Sequence, residues 1–136
     1  MNSQTDRPLR ILSAVDLHNI NSEVTNRASM VRDHQVLQAT VKRPYLILFG
    51  EEQFPTLIDK AAATLYSIAA HHVFVDGNKR TAIRATELFL EANGYRVTWE
   101  QDVVREYVLK IAQGQIVIEE VADWLAPYIE EIEDDK

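Results

Sequence analysis

Apolar residues recur along this chain mostly at helical spacing. Val15, Leu17 and Ile20 follow a capping signature formed by Ser13 with Asp16 three residues on, which predicts a first helix to about Asn26. Val31, Val36, Leu37 and Val41 predict a second, with Asp33 near its start and Pro44 just past its end. Residues 45–49, Tyr-Leu-Ile-Leu-Phe, are a short apolar run closed by Gly50. They read as a strand or a hairpin-like flap. From Pro55, placed in its first turn, a long helix is expected to about His71. Its polar members Lys60, Thr64, Ser67 and His71 form one narrow line, the stripe left to water, with His71 turned outward and His72 inward.

A second long helix is expected from Asn78 to Ala92, stopped by Asn93-Gly94, with Arg80, Arg84, Glu87 and Glu91 as its polar line. Two helices with so little polar surface belong at the centre of a bundle. Downstream, residues 95–99 alternate like a short strand. Val103, Val104, Tyr107, Val108 and Ile111 make an amphipathic helix, and Val121, Trp124, Leu125, Tyr128 and Ile129 a last one. The expected fold is mainly all-α, a bundle of about six helices with a short β flap, built as one domain over residues 1–136 with loosely ordered ends at 1–10 and 130–136.

Composition narrows the function. With 46% hydrophobic residues and few Gly or Pro, the chain can form a core. Its 14 basic against 21 acidic residues give a net charge of −7, so no broad basic field attracts nucleic acid. No Cys is present to build a thiolate metal cluster, and no apolar stretch is long enough for a membrane span. A cytoplasmic protein without nucleic-acid or membrane partners is expected.

Functional side chains concentrate between the two central helices, in His72-Val73-Phe74-Val75-Asp76-Gly77-Asn78-Lys79-Arg80. Gly77 lets backbone approach a ligand closely, and the free N–H groups of Asn78, Lys79 and Arg80 at a helix start form a cradle suited to phosphate. Lys79 and Arg80 add charge there, against the helix dipole. Asp76 suits a magnesium ion shared with phosphate oxygens, and His72 a general base that takes a hydroxyl proton. Capping by Asp76 and a solvated Lys79 are the plainer alternatives.

This passage resembles the active-site motif of the Fic/Doc family, His-x-Phe-x-(Asp/Glu/Asn)-(Gly/Ala)-Asn-(Gly/Lys)-Arg. Lys79-Arg80-Thr81-Ala82, Phe89-Leu90 and Asn93-Gly94 are similar to its death-on-curing (Doc) toxin branch. Arg32-Asp33, Arg43-Pro44, Phe49-Gly50 and Phe54-Pro55 extend the likeness over roughly residues 10–127. The resemblance implies a toxin of a toxin–antitoxin module that uses ATP and Mg2+, with His72 as base, Phe74 as the anchor of the loop, Asp76 as the magnesium-binding acid, and Gly77, Asn78, Lys79 and Arg80 holding phosphate. The adenylylating branch carries Gly where this chain has Lys79 and a second Arg where it has Ile83. The resemblance therefore implies a kinase that transfers the γ-phosphate to a protein hydroxyl, with elongation factor Tu as target, inhibition of translation as outcome, and an antitoxin closing the site in trans. Adenylylation is the alternative, and a catalytically silent protein-binding module a second.

Overall fold

The structure is a computed structural model and describes residues 8–133; the expectations for residues 1–7 and 134–136 lie outside it. Six helices form the body: α1 (Ala14–Thr25), α2 (His34–Lys42), α3 (Leu57–His71), α4 (Asn78–Ala92), α5 (Gln101–Ala112) and α6 (Ile118–Leu125). Among the described residues two small antiparallel sheets of two strands each complete it. One pairs β1 (Ile47–Leu48) with β2 (Glu51–Glu52), and the other β3 (Tyr95–Val97) with β4 (Ile129–Glu131). The mainly helical bundle is thus as expected.

Local chemistry sets most boundaries. The Ser13–Asp16 capping box starts α1, which ends at Asn26 in the left-handed region (φ 57°). Asp33 caps α2 by accepting from Gln35 N and Val36 N. A 3-10 turn over Arg43–Tyr45, with Pro44 inside it, then leads into the flap. Pro55 lies outside α3, which starts from a second capping box, Thr56 with Asp59.

The helices α3 and α4 form the centre, α3 packed against α2, α4, α5 and α6, and α4 against α1, α3 and α5. Leu65, Ile68, Ala69, Ala82, Ala85, Phe89 and Leu90 are buried between them and their neighbours. This enclosure corrects the reading of the α3 polar line: Lys60, Thr64 and Ser67 are buried, and His71 alone reaches water. Lys60 is satisfied, donating to Glu52 Oε1 at 2.9 Å and Phe54 O at 2.5 Å, and Thr64 Oγ1 donates to Lys60 O. Ser67 Oγ has no partner, nor does the buried Thr40 Oγ1 on α2. A buried hydroxyl without a partner costs about 1–3 kcal/mol, so Thr40→Val should raise the stability measured by urea unfolding by about 1 kcal/mol. A lower urea midpoint would contradict this.

The last helix stops earlier than its apolar pattern suggests, because Pro127 falls in a 3-10 turn over Ala126–Tyr128 and Ile129 opens β4. Glu130 and Glu131 are therefore strand residues rather than loose ones, paired with Arg96 and Tyr95, and Arg96 Nε donates to Glu130 Oε1 at 2.7 Å. Arg10 is likewise fastened. Its N–H donates to Asn93 Oδ1 and its carbonyl accepts from Asn93 Nδ2. Trp99 and Trp124 pack together in a cluster where Tyr107 stacks on Trp124 at 3.8 Å. Burial, with the charge of Glu120, pushes the Tyr107 hydroxyl up to about 12. Glu87 pairs with Arg84 and also accepts from Trp99 Nε1 at 3.0 Å and from Gln101.

Candidate functional site

The turn between α3 and α4 is held from three sides. His72 ends α3 in the left-handed region (φ 49°, ψ 51°), which His adopts more readily than most residues but at some strain. Both His71 and His72 are exposed, so the inward placement of His72 is corrected: the left-handed cap turns the chain over the helix end, and Val73 and Phe74 enter the core instead. Burial, with the charges of Arg43 and His72 beside it, holds His71 below the ordinary imidazole value.

Phe74 is fully buried, its ring edge-on to His18 at 5.9 Å. Around it the chain pairs with the segment before α2, Arg32 N donating to Val73 O and Val75 N to Met30 O, both at 2.9 Å. Asn78 closes the turn from the other side. Its Oδ1 accepts from Phe74 N and its Nδ2 donates to Phe74 O, each at 2.8 Å. The Asn78 side chain is therefore spent on shaping the loop, while its backbone N–H stays available.

Side chains cap α1, α2 and α3, whereas α4, like α5 and α6, has no side-chain cap from its N-cap residue, here Gly77. The first backbone bond of α4 runs from Thr81 N to Gly77 O, which leaves the N–H groups of Asn78, Lys79 and Arg80 without helical partners. Three donors at the positive end of a central helix form an anion cradle. Gly77 has φ +76°, and a Cβ there would lie 2.5 Å from Thr25 Cγ2 and 3.3 Å from Asn21 Nδ2. No other residue type fits without displacing α1.

Arg80 opposes the dipole of its own helix but lies at the carbonyl end of α1, where Nη1 donates to Val24 O at 2.7 Å. That contact offsets the electrostatic cost of a cation in the first turn. Asp76 forms an ion pair with Arg27 and stands 4.0 Å from Arg80. The hydrogen bond from Arg27 holds the Asp76 carboxyl below the usual carboxylate range, against partial desolvation. The Gly77 N–H and the charges of Arg27 and Arg80 add to it. Asp76 is thus ionised at neutral pH and half-exposed.

A cleft of about 400 Å³ opens beside the turn, lined by Asp76, Gly77, Asn78, Lys79 and Arg80, by Ile83, and by Arg105 and Leu109 of α5. Arg84 is held by Glu87 at 3.2 Å and does not line it. The structure therefore brings the predicted phosphate-binding residues and Asp76 together, with Phe74 beneath them and His72 at the exposed head of the turn. Among the described residues no group of three or more His, Cys, Asp or Glu is placed to hold a metal. One ionised carboxylate beside a phosphate cradle does fit a magnesium ion that takes most of its ligands from phosphate and water.

Asn21, Arg27 and Arg105 escaped the sequence reading. Asn21 is buried, and its Nδ2 donates to Asp76 O at 2.8 Å and Thr81 Oγ1 at 3.0 Å, which locks α1 to the turn. Its signal was a polar residue four positions after Leu17 on an apolar helix face. Arg27 and Arg105 left no comparable signal, because what places them is tertiary.

The turn lies within the stretch this chain shares with known proteins. Residues 11–90, from just before α1 to near the end of α4, match the profile of the Fic/DOC family. A protein named Toxin Doc from Mycolicibacterium smegmatis is 40% identical over 100 residues, covering 72% of this chain and 77% of that protein. The Protein kinase doc of Escherichia phage P1 is 35% identical over 74 residues, 54% of this chain and 58% of its own.

Proposed function

The chain belongs to the Fic/DOC family, and from that premise we propose that it is the toxin of a toxin–antitoxin module, a kinase that moves the γ-phosphate of ATP to a hydroxyl of a target protein. The observation that carries the reading is the uncapped start of α4, whose three unpartnered N–H groups lie with Lys79 and Arg80 directly after an ionised Asp76. A helix end of this kind gains most when an anion arrives.

In this reading the cradle of Asn78, Lys79 and Arg80 binds the terminal phosphate and stabilises the charge that spreads over its oxygens during transfer. His72, at the exposed head of the turn, takes the proton of the incoming hydroxyl as its oxygen attacks the γ-phosphorus, and the bond from that phosphorus to the bridging oxygen breaks to release ADP. Asp76 would hold Mg2+ jointly with the phosphates, and the ion would supply charge neutralisation there. Phe74 and Asn78 fix the backbone that carries these groups.

Kinase chemistry is favoured over adenylylation by Lys79, by Ile83 where the adenylylating branch has a second arginine, and by the engagement of Arg84 with Glu87. The name of the phage P1 relative points the same way. Elongation factor Tu is the proposed target and a separate antitoxin the proposed inhibitor, since no Ser/Thr-x-x-x-Glu-(Gly/Asn) segment occurs in the sequence to occupy the site from within. That target places the activity in the cytoplasm. No helix among the described residues is long and apolar enough to cross a membrane.

The exposed flap residues Ile47 and Leu48 offer strand edges along which a target segment can align. The deciding experiment incubates the chain and elongation factor Tu with ATP labelled at the α or the γ position. Label from γ on the target is expected. Label from α would establish adenylylation instead, and a folded protein that transfers neither would leave the binding-module reading.

A further inference from the structure

The C-terminal part of α1 and Arg27 just beyond its cap meet the phosphate turn at three points. Asn21 Nδ2 donates to Asp76 O and Arg80 Nη1 to Val24 O, and these two tie a side chain of each segment to the backbone of the other. The third contact is different in kind, because the Arg27 guanidinium lies directly on the Asp76 carboxylate.

The base of that arginine is built. Asn26 turns the chain through the left-handed region (φ 57°), Arg27 N donates to Ser22 O at 3.3 Å, and Ser22 Oγ donates to Arg27 O at 2.7 Å. The tip is not enclosed, with 66% of the Arg27 side chain and 46% of that of Asp76 exposed. A fixed backbone with an open ion pair allows the guanidinium to leave without disturbing the turn.

The charges around Asp76 make that departure necessary. The oxygen that Arg27 contacts, Oδ2, is also the one 4.0 Å from Arg80 Nη2. A divalent cation on this carboxylate would stand beside two guanidinium groups and repel both. Arg80 is tethered to Val24 O, whereas the Arg27 guanidinium has no acceptor besides Asp76 among the described residues. Arg27 is the group that yields.

We propose that Arg27 is a resident counter-cation of the phosphate turn, neutralising Asp76 until a metal–nucleotide arrives and competing with the metal for that carboxylate. The inference rests on the reading of Asp76 as the magnesium-side acid. It sets the metal concentration at which the site loads, through a residue outside the His72–Arg80 motif.

The test measures Mn2+, used in place of Mg2+, by the loss of its free paramagnetic signal in the presence of a non-hydrolysable ATP analogue. Four full-length proteins are compared: wild type, Arg27→Met, Arg27→Lys and Asp76→Asn. Exposed ion pairs are worth about 0.2–1 kcal/mol, so Arg27→Met is expected to bind Mn2+ up to about five-fold more tightly, with Arg27→Lys close to wild type. Asp76→Asn should bind it more weakly. Unchanged or weaker binding by Arg27→Met, with Asp76→Asn still impaired, overturns the competition while sparing the role of Asp76. Wild-type Mn2+ affinity in Asp76→Asn overturns the metal role of Asp76 itself, and the competition with it.

Discussion

Replacement of His72 by alanine should lower γ-phosphate transfer by about 10²- to 10⁴-fold and abolish growth inhibition, while leaving the fold intact. The side chain is exposed and packs into no core, so its removal opens no cavity. Its backbone, however, is strained at φ 49°. Alanine keeps that strain, whereas glycine at a left-handed helix cap relieves it, and His72→Gly should be about 1 kcal/mol more stable than His72→Ala. The two variants together separate chemistry from structure: both should be inactive, and glycine the more resistant to urea. Transfer at a wild-type rate by folded His72→Ala would remove the base from the mechanism.

A second large effect is expected at Phe74, and it is one of stability. The ring is fully buried, and its backbone N–H and C=O are both bonded to the Asn78 side chain. Truncation to alanine should cost about 3–5 kcal/mol, a large share of the 5–15 kcal/mol typical of a whole domain. Because the cavity would open directly under the phosphate cradle, nucleotide binding should fall in parallel with the urea midpoint. Phe74→Leu should recover most of both. A loss below about 1 kcal/mol in Phe74→Ala would show that the turn is anchored elsewhere, with the bridge from Val31 to Phe74 and the Asn78 clasp carrying it alone.

The parts of this fold that could be read in advance are those governed by nearby residues. The extent of α4 follows from Gly77 before it and Asn93-Gly94 after it, and the start of α1 from Ser13 and Asp16, since caps act over three or four positions. The turn was readable for a similar reason, as the groups proposed to bind phosphate are consecutive. What escaped depends on distant partners. Lys60, Thr64 and Ser67 form a polar line of the kind that usually faces water, yet α3 is enclosed on every side, and a carboxylate from the flap with a carbonyl from Phe54 makes the burial of Lys60 tolerable. Residues 129–131 carry helical apolar content and terminal acidity, but their strand partner is β3, more than thirty positions earlier. The orientation of His72 depended on one backbone residue turning left-handed, which hydrophobic periodicity does not register.

The clasp at the far end of α4 has a practical corollary. Asn93 receives Arg10, and Gly94 O accepts from Ile132 N at 2.8 Å, so the two outlying segments of the chain converge on one spot. That spot lies about 20 Å from the phosphate cradle, a full helix length at 1.5 Å per residue. A fluorescent reporter attached to the exposed side chain at position 10 or 131 would therefore sit at the pole opposite the proposed chemistry.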